Sequence, residues 1–328
     1  MSAGRLYNSN PDLDAAEFKW WQKFADVEER FCWVQTPAVQ RFLRGRYVKD
    51  IVSMAPTGAR VAELGCGAGW LCIMLAKLGA SDVVGIDFSP EQIGRARRYA
   101  QESGVDKRVR FEVGNIEEIS ERVGKCHLIV AHAFLHHLAT TEIRKVLAKI
   151  HRCLTPRGHL IIWEPVQYPR SLARNSSEMW KRVLWWLTSV PNRGQRWGIR
   201  KQSEEELNIR RILAGRQVGN PPQGPSPKET PFSPGEIEML VDPLFDVVSS
   251  HRCMAGSLRV AEELLLMGLS HPYISRALFW PLLWTARLVE IQVLKHDAPS
   301  DDWVFEMFDC VAKEKTTAPI SVPASTMN

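Results

Sequence analysis

The chain has 328 residues, 45% of them hydrophobic and 24% charged, which excludes a disordered, collagen-like or low-complexity polypeptide. The length allows one large domain or two small ones with an ample core. Lys and Arg outnumber Asp and Glu by 42 to 37, and this net +5 is too small to indicate nucleic acid without a local patch. No apolar run reaches the roughly 18 residues of a membrane span, and the N-terminus lacks the apolar core of a signal peptide. Cysteines at 32, 66, 72, 126, 153, 253 and 310 form no CxxC pair, so reduced thiols in a cytosolic core are expected. The expectation is a soluble cytoplasmic chain, with peripheral contact at a membrane surface left open.

Residues 1–55 read as a helical cap. Phe18, Trp21, Phe24 and Val27 recur at helical spacing, as do Val39, Phe42, Leu43, Tyr47 and Ile51. Pro56-Thr57-Gly58 breaks the pattern. Short apolar runs then alternate with longer helical stretches, the order of a parallel sheet. Strands are predicted at Val61–Leu64, Val83–Ile86, Val109–Val113, Leu128–Ala131 and His159–Trp163. Helices are predicted near Trp70–Leu78, Pro90–Ser103 and Thr141–Cys153, and Pro156-Arg157-Gly158 turns into the fifth strand. Phe245–Ser249 and Trp303–Val311 have the composition to complete the sheet. Five units follow from this division: 1–55, a core at 56–168, an insertion at 169–235, the last strands at 236–315 around a helical insertion at 258–296, and a disordered tail at 316–328.

The segment Glu63-Leu64-Gly65-Cys66-Gly67-Ala68-Gly69 ends a strand and opens a helix. Glycines there let the backbone turn sharply and approach a ligand, and the helix end offers free N–H groups. A dinucleotide fold wants GxGxxG, but the spacing here is GxGxG and Trp70 stands at the third-glycine position. A P-loop lysine is also absent. The next strand ends at Asp87, 18 residues after Gly69, where a carboxylate can hold both hydroxyls of a ribose. Gly114-Asn115-Ile116 after the third strand offers an amide and an apolar contact to a base.

Over residues 58–168 the chain resembles the class I S-adenosylmethionine-dependent methyltransferases. The resemblance rests on the ELGCGAG loop, Asp87, the Gly-Asn-Ile step, HLIVAHAFLHHL and TPRGHLIIWEP, in that order. It implies an α/β fold: a Rossmann-like, doubly wound, seven-stranded sheet with an N-terminal helical cap and two helical insertions. It implies S-adenosyl-L-methionine as cofactor. Glu63 and the Gly65–Gly69 backbone, Cys66 and Gly67 included, would hold the methionine portion. Asp87 would take the ribose diol, Phe88 would pack on the adenine, Asn115 would meet its amino group and Ile116 would cover the ring. Many relatives carry Asp where Asn115 stands, and an Asn carbonyl still accepts that hydrogen bond.

In such a sheet the ligand crevice lies beyond the carboxyl ends of the strands. His132 ends the fourth strand, Glu164 the fifth, and His136-His137 follow in the loop. His132 is the first candidate to line the methyl-transfer pocket and to serve as base, with Glu164 and His137 behind it. The His136-His137 pair is equally read as capping a helix or packing beneath the cofactor. Three histidines and a carboxylate without i, i+4 spacing do not make a metal site.

Residues 170–216 hold eleven Lys or Arg against four Glu, together with Trp180, Trp185, Trp186 and Trp197. That mixture suits an anionic, partly apolar partner such as a lipid surface, or a substrate lid with its tryptophans turned inward. Trp20, Trp21, Phe31 and Trp33 are further lid candidates. Gly219–Gly235, with six prolines and three glycines, reads as a linker or lid loop. The acceptor expected is a small, apolar or lipid-like molecule. Nucleic acid is disfavoured: Asn220-Pro221-Pro222-Gln223 is similar to the NPPY motif of amino-methylating enzymes but lies in the wrong place and lacks the tyrosine. Oxygen or nitrogen is favoured as the methylated atom with carbon left open, and the alternative readings are an RNA methyltransferase using the basic insertion or, from another class, a non-catalytic cofactor-binding protein.

Overall fold

The computed structural model describes residues 12–21, 48–54, 58–115, 122–167, 227–253, 280–282, 284–285, 288 and 304–314. Phe31, Trp33, Ile116, the basic Trp-rich stretch 170–216 and the tail 316–328 lie outside the described residues.

Seven strands form one sheet: β1 (Arg60–Leu64), β2 (Asp82–Asp87), β3 (Val109–Val113), β4 (Cys126–His132), β5 (Leu154–Val166), β6 (Phe245–Cys253) and β7 (Val304–Ala312). Their order is β3-β2-β1-β4-β5-β7-β6. The first five are mutually parallel, and β7 runs antiparallel to both β5 and β6. The helices are α1 (12–21), α2 (Lys49–Ser53), α3 (Trp70–Lys77), α4 (Pro90–Glu102), α5 (Thr140–Cys153) and α6 (Glu236–Val241).

A parallel sheet covered on both faces needs strands that are apolar on both faces. That is why Val61-Ala62, Val83-Val84 and Leu128–Ala131 are continuous apolar runs. Alternate residues enter opposite layers. Val61, Val83, Leu128, Val130 and Ile161 join α3 and α4 in one layer, where Val48 and Ile51 are also fully buried. Ala62, Val84, Ile129 and Ile162 join α5 and α6 in the other. The end of the N-terminal segment around α2 therefore packs into the core. In α5, Ile143, Val146, Leu147 and Ile150 face inward at the i, i+3, i+4, i+7 spacing of one helical face.

The helix starts carry their own chemistry. Ser89 caps α4, its hydroxyl accepting from the Gln92 amide at 3.3 Å, with Pro90 in the first turn. Ala139 has no side-chain acceptor to give α5, and Glu142 reaches back to the Ala139 amide at 2.8 Å. Two elements differ from the sequence expectation. The Pro156-Arg157-Gly158 turn lies within β5, as a bend at which Arg157 takes φ 59° and the pairing register shifts. Of the Pro-rich stretch, the described residues 227–235 strap the core. Phe232 is fully buried, its amide donates to Pro165 O at 3.0 Å, and its carbonyl accepts from Gln167 at 2.8 Å.

Strand order reverses between β1 and β4, whose carboxyl ends are Leu64 and His132. Side connections diverge at such a point and leave a crevice above it.

Candidate active site

The loop leaving β1 is built by three glycines under three different constraints. Gly65 (φ 69°) has no room for a side chain, because a Cβ would lie 2.8 Å from Phe134. Gly69 (φ 76°) is tighter still, 2.5 Å from the Phe111 ring. Gly67 (φ 48°) faces open space. The loop is clamped from below and bare at its crest, as a site for close ligand approach requires. The Gly65 and Cys66 amides are spent on Ile86 O, at 2.9 and 3.0 Å. What the loop offers a ligand is therefore its crest and the first-turn amides of α3.

Glu63 works beneath that turn. Gly69 precedes α3 and brings no capping side chain, so the buried Glu63 carboxyl accepts from the Cys72 amide at 3.0 Å and the Cys72 thiol at 2.9 Å. Burial pushes its pKa up to about 8. The Cys66 thiol is likewise buried and pushed up to about 11 by desolvation. Both side chains support the loop from its inner side.

Asp87 closes the crest from β2. Its two oxygens accept from the Gly67 and Ser89 amides, both at 2.9 Å. Each oxygen keeps a second lone pair, which fits the two hydroxyls of a ribose. Burial raises the Asp87 pKa, against the pull of those amides. Phe88 is 40% exposed and meets Phe18 of α1 at 5.8 Å between centroids. Asn115 follows β3, exposed.

Across the switch point, His132 sits among rings: Trp163 at 4.6 Å, Trp70 at 5.3 Å and Phe305 at 6.2 Å. Burial lowers its pKa to about 4, so the imidazole is neutral at physiological pH. Ala133 next takes the left-handed φ of 49° while its amide bonds Trp163 O at 2.9 Å. For a non-glycine residue that costs about 1 kcal/mol. The turn it makes aims the Phe134 and Leu135 amides at Glu164 Oε1, at 2.8 and 2.7 Å. Glu164 Oε2 takes His136 Nδ1 at 2.7 Å. Burial raises the Glu164 pKa to about 7 against those two amides. Three donors already occupy this carboxyl, so it shapes the turn.

His137 belongs to a second cluster, whose acidic member, Glu17, sequence reasoning missed. Glu17 Oε1 accepts from Trp21 Nε1 at 2.7 Å and lies 3.1 Å from His137 Nδ1. Its Oε2 accepts from the Lys228 amide at 3.0 Å, and Lys228 Nζ pairs with Asp14. The Thr230 amide bonds His136 O at 3.0 Å. The signal was present as an acid next to Phe18 and one helical turn before Trp21 on α1. Trp20 meets Trp21 edge-on, and Trp21 meets His137 at 5.4 Å. So α1 and the strap both dock on the turn after β4.

This strand order, with a glycine crest bonded to a carboxylate at the switch point, is the arrangement that the resemblance to the class I S-adenosylmethionine-dependent methyltransferases implies. Residues 61–158 match the family model described as a methyltransferase domain. Curated relatives agree. The ubiquinone biosynthesis O-methyltransferase of Azorhizobium caulinodans is 30% identical over 158 residues, 46% of this chain and 58% of its own. That of Xanthomonas axonopodis pv. citri is 31% identical over 146 residues, 44% of this chain and 55% of its own. The chain thus spans somewhat over half the length of these relatives. Among solved structures, geranyl diphosphate C-methyltransferase from Streptomyces coelicolor A3(2) aligns over 84% of this chain and 80% of its own, at 13% identity and a TM-score of 0.48.

Proposed function

We propose that the protein is an S-adenosylmethionine-dependent methyltransferase acting on a hydroxyl oxygen of an apolar or amphipathic, small or lipid-like acceptor. The observation that carries it is the 2.9 Å bond from the Gly67 amide to Asp87, which joins a bare loop crest to a diol-binding carboxylate. The names of the relatives, which methylate oxygen in ubiquinone biosynthesis, support the acceptor class.

When bound, S-adenosylmethionine supplies an electrophilic methyl group on a sulfonium sulfur. The chain's residues hold and orient. The Gly67 crest and the α3 amides receive the methionine end. Asp87 holds the ribose, with Phe88 and Asn115 at the base. Trp70, Trp163 and Phe305 give the acceptor side an apolar wall and exclude water, and alignment supplies most of the rate in such a displacement. His132, kept neutral by burial, adds no positive charge to repel the sulfonium. Glu164 holds the turn that presents these groups. Among the described residues no helix is long and apolar enough to cross a membrane. The basic, Trp-bearing stretch 170–216, with Trp284 and Leu288 exposed one helical turn apart, supports contact with an anionic membrane surface.

The test is transfer of a radiolabelled methyl group from S-adenosylmethionine into a panel of prenylated phenols presented in vesicles. Label in the organic phase as an alkali-stable methyl ether is the result expected. Label only in RNA or protein, or none with any phenol, would remove the acceptor assignment.

A further inference from the structure

Asp87, at the end of β2, stands between the crest after β1 and the end of β3, and its two sides differ. Toward β1 its Oδ2 accepts from the Gly67 amide at 2.9 Å. Toward β3 apolar side chains are left in water: Phe88 is 40% exposed, and Val113, paired in register with Asp87, is 38% exposed. The Gly114 amide donates to Asp87 O at 3.0 Å, which keeps the end of β3 alongside and leaves Asn115, exposed, at its rim. The base and the 5′ carbon of a ribose leave from opposite ends of its ring. With the 5′ chain over the polar crest, a base is directed to the β3 side, where apolar surface and one amide suit a purine. A third apolar group reaches this place from outside the sheet. Phe18 of α1 lies 5.8 Å from Phe88 between ring centroids, at an interplanar angle of 47°. Rings tilted by that much do not stack face to face, and Phe88 keeps its exposure with Phe18 in place. The pair forms a corner and not a closed contact. Other residues dock α1: Glu17 accepts from the Lys228 amide, Asp14 pairs with Lys228 Nζ, and the Trp21 ring meets His137. None of these contacts uses the Phe18 side chain.

We propose that Phe18 is a cofactor-binding residue: with Phe88 its ring forms the corner that receives the adenine base, so the N-terminal helix covers the cofactor as well as the turn after β4. This rests on the methyltransferase reading, which supplies the adenine. An aromatic corner takes a flat base against one ring face and one ring edge, the two arrangements that aromatic pairs prefer. Asn115 meets the polar rim of the base. A ligand that binds better when α1 is docked draws the helix toward the docked state. The same helix carries Trp21 to His137. Filling the base corner and closing the turn after β4 are therefore linked through α1.

The test reads the contact directly, on full-length protein that is deuterated except at phenylalanine. Nuclear Overhauser transfer is measured between the adenine H2 and H8 protons of bound S-adenosylhomocysteine and the phenylalanine rings. Transfer to Phe18 and to Phe88 is expected, each assigned by its loss in Phe18→Leu or Phe88→Leu. Affinity is measured in parallel by calorimetry. Phe18→Ala weakens S-adenosylhomocysteine about tenfold, in the range found on removing one aromatic partner of a base, and Phe18→Tyr, which keeps the ring, restores it. Lys19 is exposed on α1, and tryptic cleavage after it reports whether the helix is docked. Without ligand that cleavage is expected to be as slow in Phe18→Ala as in the wild type. No transfer from adenine to Phe18 in the wild-type complex overturns the proposal. So does a Phe18→Ala protein with full affinity, or one whose lost affinity comes with rapid cleavage after Lys19, since Phe18 would then only hold the helix. A folded wild type that binds no S-adenosylhomocysteine overturns the methyltransferase reading instead.

Discussion

Gly65, Gly67 and Gly69 share a left-handed backbone but not a reason for it, and substitution separates them. At Gly69 an added Cβ meets Phe111 at 2.5 Å, so Gly69→Ala should destabilise the fold by at least ~2 kcal/mol through strain and overpacking. At Gly67 the Cβ meets nothing, so Gly67→Val should cost only the ~2 kcal/mol of backbone strain yet abolish S-adenosylhomocysteine binding. Denaturant midpoints and calorimetry distinguish the two, and a Gly67→Val protein that binds normally would displace the crest from the site. Glu63 makes a pH prediction. Its pKa is raised from 4.5 unfolded to about 8 folded, so the native state holds the extra proton between those values. Stability from this group is present at low pH and lost as pH rises through about 8, at about 1.4 kcal/mol per pKa unit. Glu63→Gln should flatten the melting temperature between pH 5.5 and 8.5, and an unchanged slope would refute it. The glycine loop and Asp87 were legible because each is a local signal at a strand end. Glu17 was not, because its meaning depends on partners at 137 and 228 that only the fold brings near.

At the scale of elements, the strap and the turn after β4 carry the departures from expectation. The first four parallel strands could be read to within about two residues, since burial on both faces leaves continuous apolar runs bounded by turn residues, whereas β5 extends from Leu154 to Val166, well beyond the expected His159–Trp163. Six-residue α6 was missed: it follows a Pro- and Gly-rich stretch and is too short to show a period. The strap itself has no repeating pattern, and its one buried side chain is an aromatic residue among prolines. Phe232→Ala should cost about 3–5 kcal/mol and open residues 227–235 to proteolysis. Limited digestion with mass mapping checks this, and unchanged resistance would mean that the strap is held elsewhere. Ser89→Ala removes the cap of α4 beside Asp87 and should cost about 1 kcal/mol. A thermal melt reads that loss, and a cofactor affinity that falls with it would show that the cap also orders the Asp87 turn.

For the molecule as a whole, the sheet order creates a single place where the glycine crest of β1, the carboxylate of β2 and the aromatic wall of β4, β5 and β7 face one crevice. The helix α1 and the strap then cover it from parts of the chain that the sheet does not need. Net charge contributes little to this arrangement, because the basic excess is concentrated in residues 170–216, which lie outside the described residues. The fold class was readable from the alternation of elements, whereas the closure of the site was not, since it depends on docking between segments that carry no shared motif. The central claim is that Asp87 and the crest form the S-adenosylmethionine site. Calorimetric titration of the full-length protein and of Asp87→Ala with S-adenosylhomocysteine tests it most directly. Micromolar binding by the wild type, weakened at least about tenfold in Asp87→Ala by loss of charge-assisted hydrogen bonds, is the result predicted. A folded wild type that binds nothing, or an Asp87→Ala protein that binds equally well, would contradict it.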